Sequence, residues 1–208
     1  ASKYAKMVKS DTLTDAIQLL GLEKVRDVAL ASSFIGNLLD PYSKGFDWQA
    51  FWEHSISVGI ISSLIGKFLR KEDFEKFYTA GLLHDMGKVG AFCLDEKNML
   101  LVAKKARKHK ISMLQAELMT EAPRHDLLGH AICERWNLPE YIGQVCRNHH
   151  TVSRNQRNLS ETDSQNEFID VVILANHLVR KIGLGYSGHN SIENGIEEVL
   201  EYLGLDDQ

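Results

Sequence analysis

The chain has 208 residues, of which 44% are hydrophobic, and its formal net charge is −4. This length and hydrophobic content suffice for one domain with a substantial buried core. The slight excess of acidic residues gives no overall positive field, so the composition argues against nucleic acid and anionic membranes as partners.

No apolar run approaches the roughly 20 residues that a membrane span needs. The three cysteines, Cys93, Cys133 and Cys146, lie in apolar helical patterns and form no Cys-x-x-Cys pair. This arrangement predicts reduced, buried thiols in a cytoplasmic protein. The basic run at 104–110 has the spacing of an exposed helix end, which favours a solvated surface over contact with a polyanion.

Helical periodicity extends over almost the whole chain, and alternating strand patterns are lacking, so the sequence predicts an all-α fold. A further helix, capped by Asp73 and ended by Gly87, is expected to carry the pair His84–Asp85. The polar run 151–166 predicts a surface loop. In chain order the other predicted helices cover residues 13–20, 23–39, 48–69, 97–108, 112–119, 126–135, 139–149, 167–182 and 191–203.

Histidines and one aspartate recur within or at the ends of these predicted helices. Neutral imidazole and carboxylate are suitable donors for Fe, Mn or Zn, and thiolates are absent from the set. A bound divalent ion would polarise a phosphoryl oxygen and lower the pKa of a bound water. The candidate ligands are His54, His84, Asp85, His125, His149 and His150.

Each of these residues also has a structural interpretation. His54 lies among apolar residues and could be a core histidine satisfied by a backbone carbonyl. Asp85 could accept hydrogen bonds from the turn at Gly87, and Lys88 could be a solvated side chain near a helix C-terminus.

The last two candidates, His149 and His150, are neighbours on a predicted helix. Adjacent helical side chains point about 100° apart, so we expect that a single ion would not take both. Two ions, or one ligand and one outer hydrogen-bond donor, would use the pair. The remaining histidines are interpreted as structural or surface residues: His109, His130, His177 and His189.

The order of these residues, with "LLHDMGK" in the middle, resembles the HD superfamily of metal-dependent phosphohydrolases. The flanking segments are similar to its HDOD branch: "FWEHSISVG", "AGLLHDMGKVG", "HDLLGHAICERWNLPEYIGQVCRNHH" and "VILANHLVRKIGLG". That branch has a His, a Gly four residues later, Trp-x-Leu-Pro and a His-His pair. Here these are His125, Gly129, Trp136, Leu138, Pro139, His149 and His150.

The resemblance implies an HD-domain-like helical bundle in a bacterial signal-transduction protein, where many HDOD members are regulatory or scaffolding modules. It also implies that the six candidate ligands hold one or two divalent ions. Asp85 would then be a bridging ligand or base, and Lys88 would contact a phosphate. We expect residues 1–208 to form a single domain, preceded in the family by further helices whose tail corresponds to residues 1–15.

The sequence departs from the catalytic pattern of the superfamily at Asn176, where active members have an Asp. An amide offers a carbonyl oxygen but no charge, so we expect weaker metal binding. The cyclic-dinucleotide phosphodiesterase branch, HD-GYP, has an acidic residue where this chain has Ala50. It also follows its His-His pair with Glu and Gly-Tyr-Pro, whereas His150 leads into "TVSRNQRN". Hydrolysis of cyclic dinucleotides is therefore poorly supported.

Three hypotheses remain open. The first is a regulatory module that binds signalling proteins or a phosphate-containing small ligand, without nucleic acid or membrane partners, and with a partly retained metal site. The second is a metal-dependent phosphohydrolase that acts on a nucleotide or another phosphate ester. The third is a helical domain whose polar cluster is satisfied by its own hydrogen bonds.

Overall fold

The computed structural model describes residues 45–157, 159, 163–191 and 194–206. The predicted helices 13–20 and 23–39 and the expected tail at 1–15 lie outside these residues. Within the described ranges all regular structure is helical and no strand occurs, which confirms the all-α prediction. No described helix is long and apolar enough to cross a membrane.

The described helices follow one another with short connections. They are α1 (Trp48–Phe68), α2 (Phe74–Leu83), α3 (Met86–Leu94), α4 (Glu96–His109), α5 (Met113–Thr120), α6 (His125–Arg135), α7 (Glu140–Asn148), a short 3-10 helix (Arg154–Gln156), α8 (Asp163–Ile182) and α9 (Ile196–Tyr202).

Several predictions differ from the structure. Gly87 does not end a helix but lies in the first turn of α3, which the sequence pattern had not predicted. Helix α8 begins at Asp163, so the last four residues of the polar loop predicted at 151–166 belong to this helix. Arg157 within it is buried against Asp170, which the polarity of the segment does not suggest. Cys93 is exposed, so only Cys133 and Cys146 match the prediction of buried thiols.

The hydrophobic core is shared by α1, α2, α7, α8 and α9. Val58, Ala80, Val145, Ile169 and Val172 are among its fully buried members. Helices α1 and α2 approach closely because glycines face each other: a Cβ at Gly81 would lie 2.9 Å from the Cα of Gly59. This contact holds α1 beside the C-terminal end of α2.

A second close approach joins α3 to α6. A Cβ added to Gly87 would lie 1.8 Å from the carbonyl oxygen of His125 and 2.6 Å from the nitrogen of Gly129. No side chain fits there, so glycine is required where the backbones meet. The contact places the turn at His84–Asp85 against the start of α6.

After α8 the chain turns back over α1 through residues 183–191, here called the covering segment. Gly183, Gly185 and Gly188 have φ values of 74°, 66° and 96°, a region that favours glycine. The backbone nitrogen of Tyr186 donates to the carbonyl oxygen of Ala50 at 2.8 Å. The segment is thereby fixed beside the part of α1 that carries His54.

Candidate metal centre

The structure brings all six predicted ligands together in the interior. Five of them are fully buried and His150 is half-buried. Their donor atoms form two overlapping sets, and within each set they lie within 4.8 Å of one another. We call Asp85, His125, His149 and His150 the four-residue group, and His54, His84 and Asp85 the three-residue group.

The two adjacent histidines converge instead of diverging. Helix α7 ends at Asn148, so His150 lies beyond the helix. Its ring lies beside that of His149. The ring centroids are 4.0 Å apart, and both rings belong to the four-residue group. Helix α7 does not continue through both residues, so the premise that their side chains diverge is not met, and the donor atoms of both lie within 4.8 Å of the other donors in the group.

Backbone carbonyls fix the orientation of two of the rings. Nδ1 of His84 donates to the carbonyl oxygen of Gly81 at 2.7 Å, and Nδ1 of His149 donates to that of Cys146 at 2.8 Å. In a neutral imidazole the other nitrogen then carries the lone pair. Burial lowers the pKa of His84, which favours this neutral form.

The lone pairs of these two rings face Asp85. Nε2 of His84 lies 3.3 Å from Oδ2, and Nε2 of His149 lies 3.3 Å from Oδ1. Within the described part of the chain neither nitrogen meets ordinary hydrogen-bond geometry. Lone pairs directed at a carboxylate repel it unless a cation lies between them, so this donor set fits a divalent metal.

His125 is oriented by a buried carboxylate that sequence reasoning missed. Its Nδ1 lies 2.8 Å from Glu117, and its backbone nitrogen donates to Oε2 of Glu117 at 3.1 Å. Its Nε2 lies 3.0 Å from Nε2 of His150. A carboxylate on the far nitrogen of a ligand histidine raises its basicity and fixes its tautomer. No local motif marks Glu117, which lies on another helix, α5.

Asp85 is shared by both groups and is held as a carboxylate. Burial alone would raise the pKa of Asp85, but the ammonium of Lys88 and the ring of His84 hold it well below its usual range. The two oxygens differ, because Oδ2 accepts from Nζ of Lys88 at 2.6 Å while Oδ1 makes no hydrogen bond within the described residues.

Lys88 is fully buried, so its interpretation as a solvated side chain is wrong. Burial lowers its pKa, and the charge of Asp85 opposes that shift. Besides Asp85, its Nζ donates to the carbonyl oxygen of Ser187 at 3.0 Å. The candidate phosphate-binding cation is therefore engaged by the covering segment.

His54 enters the centre from α1. Its ring centroid lies 5.6 Å from that of His84, and its Nε2 has no hydrogen-bond partner among the described residues. Burial, followed by the positive charge of Arg180, lowers the pKa of His54 to about 2. The ring is neutral at physiological pH and can donate a lone pair to a cation.

The position of the missing aspartate is occupied by an amide that is bound to an internal arginine. Oδ1 of Asn176 accepts from Nε of Arg180 at 2.9 Å. Arg180 also donates to Oγ of Ser187 at 3.1 Å and to the ring of His189. His189 is buried in this network, which agrees with its interpretation as a structural residue.

The covering segment limits access to the centre. A cavity of about 340 Å³ on one side is lined by His54, Arg180 and residues 183–190. A second cavity of about 280 Å³ reaches His150 and is bordered by Ser191. Ser187 is buried between α3 and α8 through its contacts with Lys88 and Arg180.

Comparison with known proteins adds a family and a fold. The family model for the HDOD domain matches residues 2–152. A crystal structure of an HDOD domain protein of unknown function from Geobacter sulfurreducens is 25% identical, with a TM-score of 0.66. The match covers 93% of this chain and 63% of that one, so the present chain spans less than two thirds of that relative.

Two further structures share the fold. The MmoQ response regulator from Methylococcus capsulatus is 21% identical with a TM-score of 0.59, and the match covers 93% of this chain and 72% of MmoQ. A candidate phosphohydrolase from Shewanella amazonensis is 17% identical with a TM-score of 0.62, over 95% of this chain and 76% of that one. No curated protein matches the sequence significantly.

Proposed function

This chain belongs to the HDOD domain family, and we propose that it is a signal-transduction module that binds a divalent metal ion and acts by binding ligands or partner proteins, without catalysis. The observation that carries this proposal is that Lys88 forms hydrogen bonds inside the protein. Its ammonium donates to Asp85 and to the carbonyl oxygen of Ser187, and the residue is fully buried, so a phosphate would have to displace the covering segment to reach it.

Metal binding is supported by the geometry of the donors. Buried ring nitrogens of His84 and His149 face a buried carboxylate without hydrogen bonds, and Glu117 supports His125 from behind. When bound, a divalent ion would supply Lewis acidity and an acidified water. The residues that would hold it are the members of the four-residue and three-residue groups.

The absence of turnover is supported by the surroundings of the centre. The covering segment is fixed to α1 by the hydrogen bond from Tyr186 to Ala50, and Gly185 lies against the backbone of His54. Arg180 binds the amide at position 176, where active relatives would place a carboxylate. A phosphate ester would have to displace several buried contacts before it reached Asp85.

A role in signalling is supported by the relatives. One structure with this fold is called a response regulator, MmoQ, and the HDOD match extends over most of the present chain. The proposed partners are signalling proteins, and a phosphate-containing small ligand is the proposed alternative occupant of the cavity beside His54.

A second candidate function, metal-dependent hydrolysis of a phosphate ester, is favoured by a specific observation. Asp85 belongs to both groups of donors, and the ammonium of Lys88 lies 2.6 Å from its Oδ2. This arrangement is suitable for binding a phosphate next to a metal. In that case Lys88 would release Ser187 and neutralise a phosphate oxygen, and Asp85 would orient the attacking water.

One experiment separates the two candidates. The purified protein is loaded with Mn²⁺, Fe²⁺ or Zn²⁺, its metal content is measured by plasma mass spectrometry, and hydrolysis of bis-p-nitrophenyl phosphate and p-nitrophenyl phosphate is followed. We expect bound metal and no hydrolysis above that of the free ion. The variant His84→Ala/Asp85→Ala should lose the metal and retain its helical circular dichroism.

Metal-dependent hydrolysis that disappears in Asp85→Asn and Lys88→Ala would overturn the regulatory proposal in favour of the phosphohydrolase. Protein that takes up no metal in any of the three loadings would contradict both candidates and leave a polar cluster that serves the fold alone.

A further inference from the structure

We propose that the centre holds a single divalent cation, in the four-residue group, and that Arg180 keeps the three-residue group free of metal. This inference rests on the proposed metal-binding function. It adds the stoichiometry of the centre and the residue that sets it.

The first argument concerns the two oxygens of Asp85. Oδ1 lies 3.3 Å from Nε2 of His149 and 3.5 Å from Nε2 of His125, and it makes no hydrogen bond within the described residues. Oδ2, on the side of His84, already accepts from the ammonium of Lys88 at 2.6 Å. The anionic oxygen that remains available therefore faces the four-residue group.

The second argument concerns the charges around each group. The four-residue group has the carboxylate of Glu117 behind His125, which adds negative charge near the cation. The three-residue group has two neutral rings and shares its only carboxylate with Lys88. A divalent ion there would meet an ammonium on one side, in an interior where charges are weakly screened.

Arg180 adds a second positive charge on that side. It lines the same cavity as His54. An aspartate at position 176 would offset the charge of a cation, whereas Asn176 offers an amide oxygen that Arg180 already occupies. Because Asn176 is neutral, the positive charge of Arg180 has no carboxylate partner at position 176.

The guanidinium is fixed in this position. It donates to Asn176, to the ring of His189, to Oγ of Ser187 at 3.1 Å and to the carbonyl oxygen of Ser191 at 3.3 Å. A planar group that donates in several directions does not swing aside without loss of these hydrogen bonds. Arg180 therefore acts as an internal cation at the edge of the centre.

The test is the metal content of the full chain loaded with Mn²⁺ and freed of excess ion by gel filtration. We expect one ion per chain in the natural protein, with the paramagnetic resonance spectrum of an isolated Mn²⁺. Replacement of the exposed His109 by Ala should leave this content unchanged, and His149→Ala should abolish it.

In Asn176→Asp/Arg180→Ala we expect a second ion and a spectrum that shows coupling between two Mn²⁺ ions. Arg154→Ala is the matched control, because it removes another partly buried arginine, paired with Asp170, and should retain one ion. Circular dichroism of each variant checks that it has folded.

The outcomes distinguish this inference from the proposed function. Two ions in the natural protein would overturn the single-ion assignment while metal binding itself stands. A folded double variant that still holds one ion would overturn the role of Arg180. No metal in the natural protein would refute the metal-binding function and this inference together.

Discussion

Gly87→Ala is predicted to separate α3 from α6 and thereby to disrupt the centre. The added Cβ would lie 1.8 Å from the carbonyl oxygen of His125 and 2.6 Å from the nitrogen of Gly129. Close carbon–oxygen contacts in proteins are about 3.3 Å, so the two backbones would have to move apart by about 1.5 Å. Both obstacles are backbone atoms, which cannot rotate away.

The expected cost follows from that movement. Overpacking of a core usually costs about 1–3 kcal/mol, and a backbone obstacle belongs at or above the upper end of that range. Alanine stabilises the interior of a helix by about 0.5–1 kcal/mol relative to glycine, which offsets only part of the overpacking cost. At about 2–4 °C per kcal/mol for a chain of this size, a net loss near 2 kcal/mol lowers the Tm by roughly 4–8 °C.

The same movement should remove the metal. Nε2 of His125 lies 3.5 Å from Oδ1 of Asp85 across this contact. Metal–ligand distances tolerate errors of only about 0.2 Å. The assay combines chemical denaturation with metal content after loading. Gly90→Ala is the matched control, since its Cβ would meet only the Cδ1 end of Ile132, at 2.7 Å. If Gly87→Ala keeps the stability and metal content of Gly90→Ala, the reasoning is refuted.

Three further predictions concern other residues. Glu117→Gln should weaken metal binding about 10–100-fold at unchanged fold, as measured by competition with a chelator, and an unchanged affinity would exclude a supporting role for this carboxylate. Asp170→Asn should cost about 3–5 kcal/mol in denaturant unfolding, because it leaves the buried Arg157 without its charge partner, yet it should not change metal content. The metal-free protein should lose stability as the pH falls below 6.5, on the order of 1 kcal/mol per pH unit from His54 alone, because the unfolded chain binds a proton there that the folded one, with a pKa of about 2, does not. His54→Asn should flatten that slope in unfolding measurements between pH 7 and pH 5, and an unchanged slope would refute this assignment.

The helical class and the list of candidate ligands could both be predicted from the amino-acid sequence. Apolar residues at helical spacing predicted most helices within a few residues, because burial of one face is recorded directly in the chain. The pair His84–Asp85 and the later histidines stand out because their order resembles that of the HD superfamily. Lys88 was identified as a candidate for the same reason, but its burial was not predicted.

How these residues interact with one another depends on the tertiary structure. The contacts of Gly87 with α6, of Glu117 with His125 and of Ser187 with Lys88 join residues on different elements, and no local spacing records such pairs. Whether Asn176 offers its oxygen to a metal depends on where the guanidinium of Arg180 lies. Local periodicity encodes which face of a helix is buried, whereas the charges that meet in the interior depend on how helices pack.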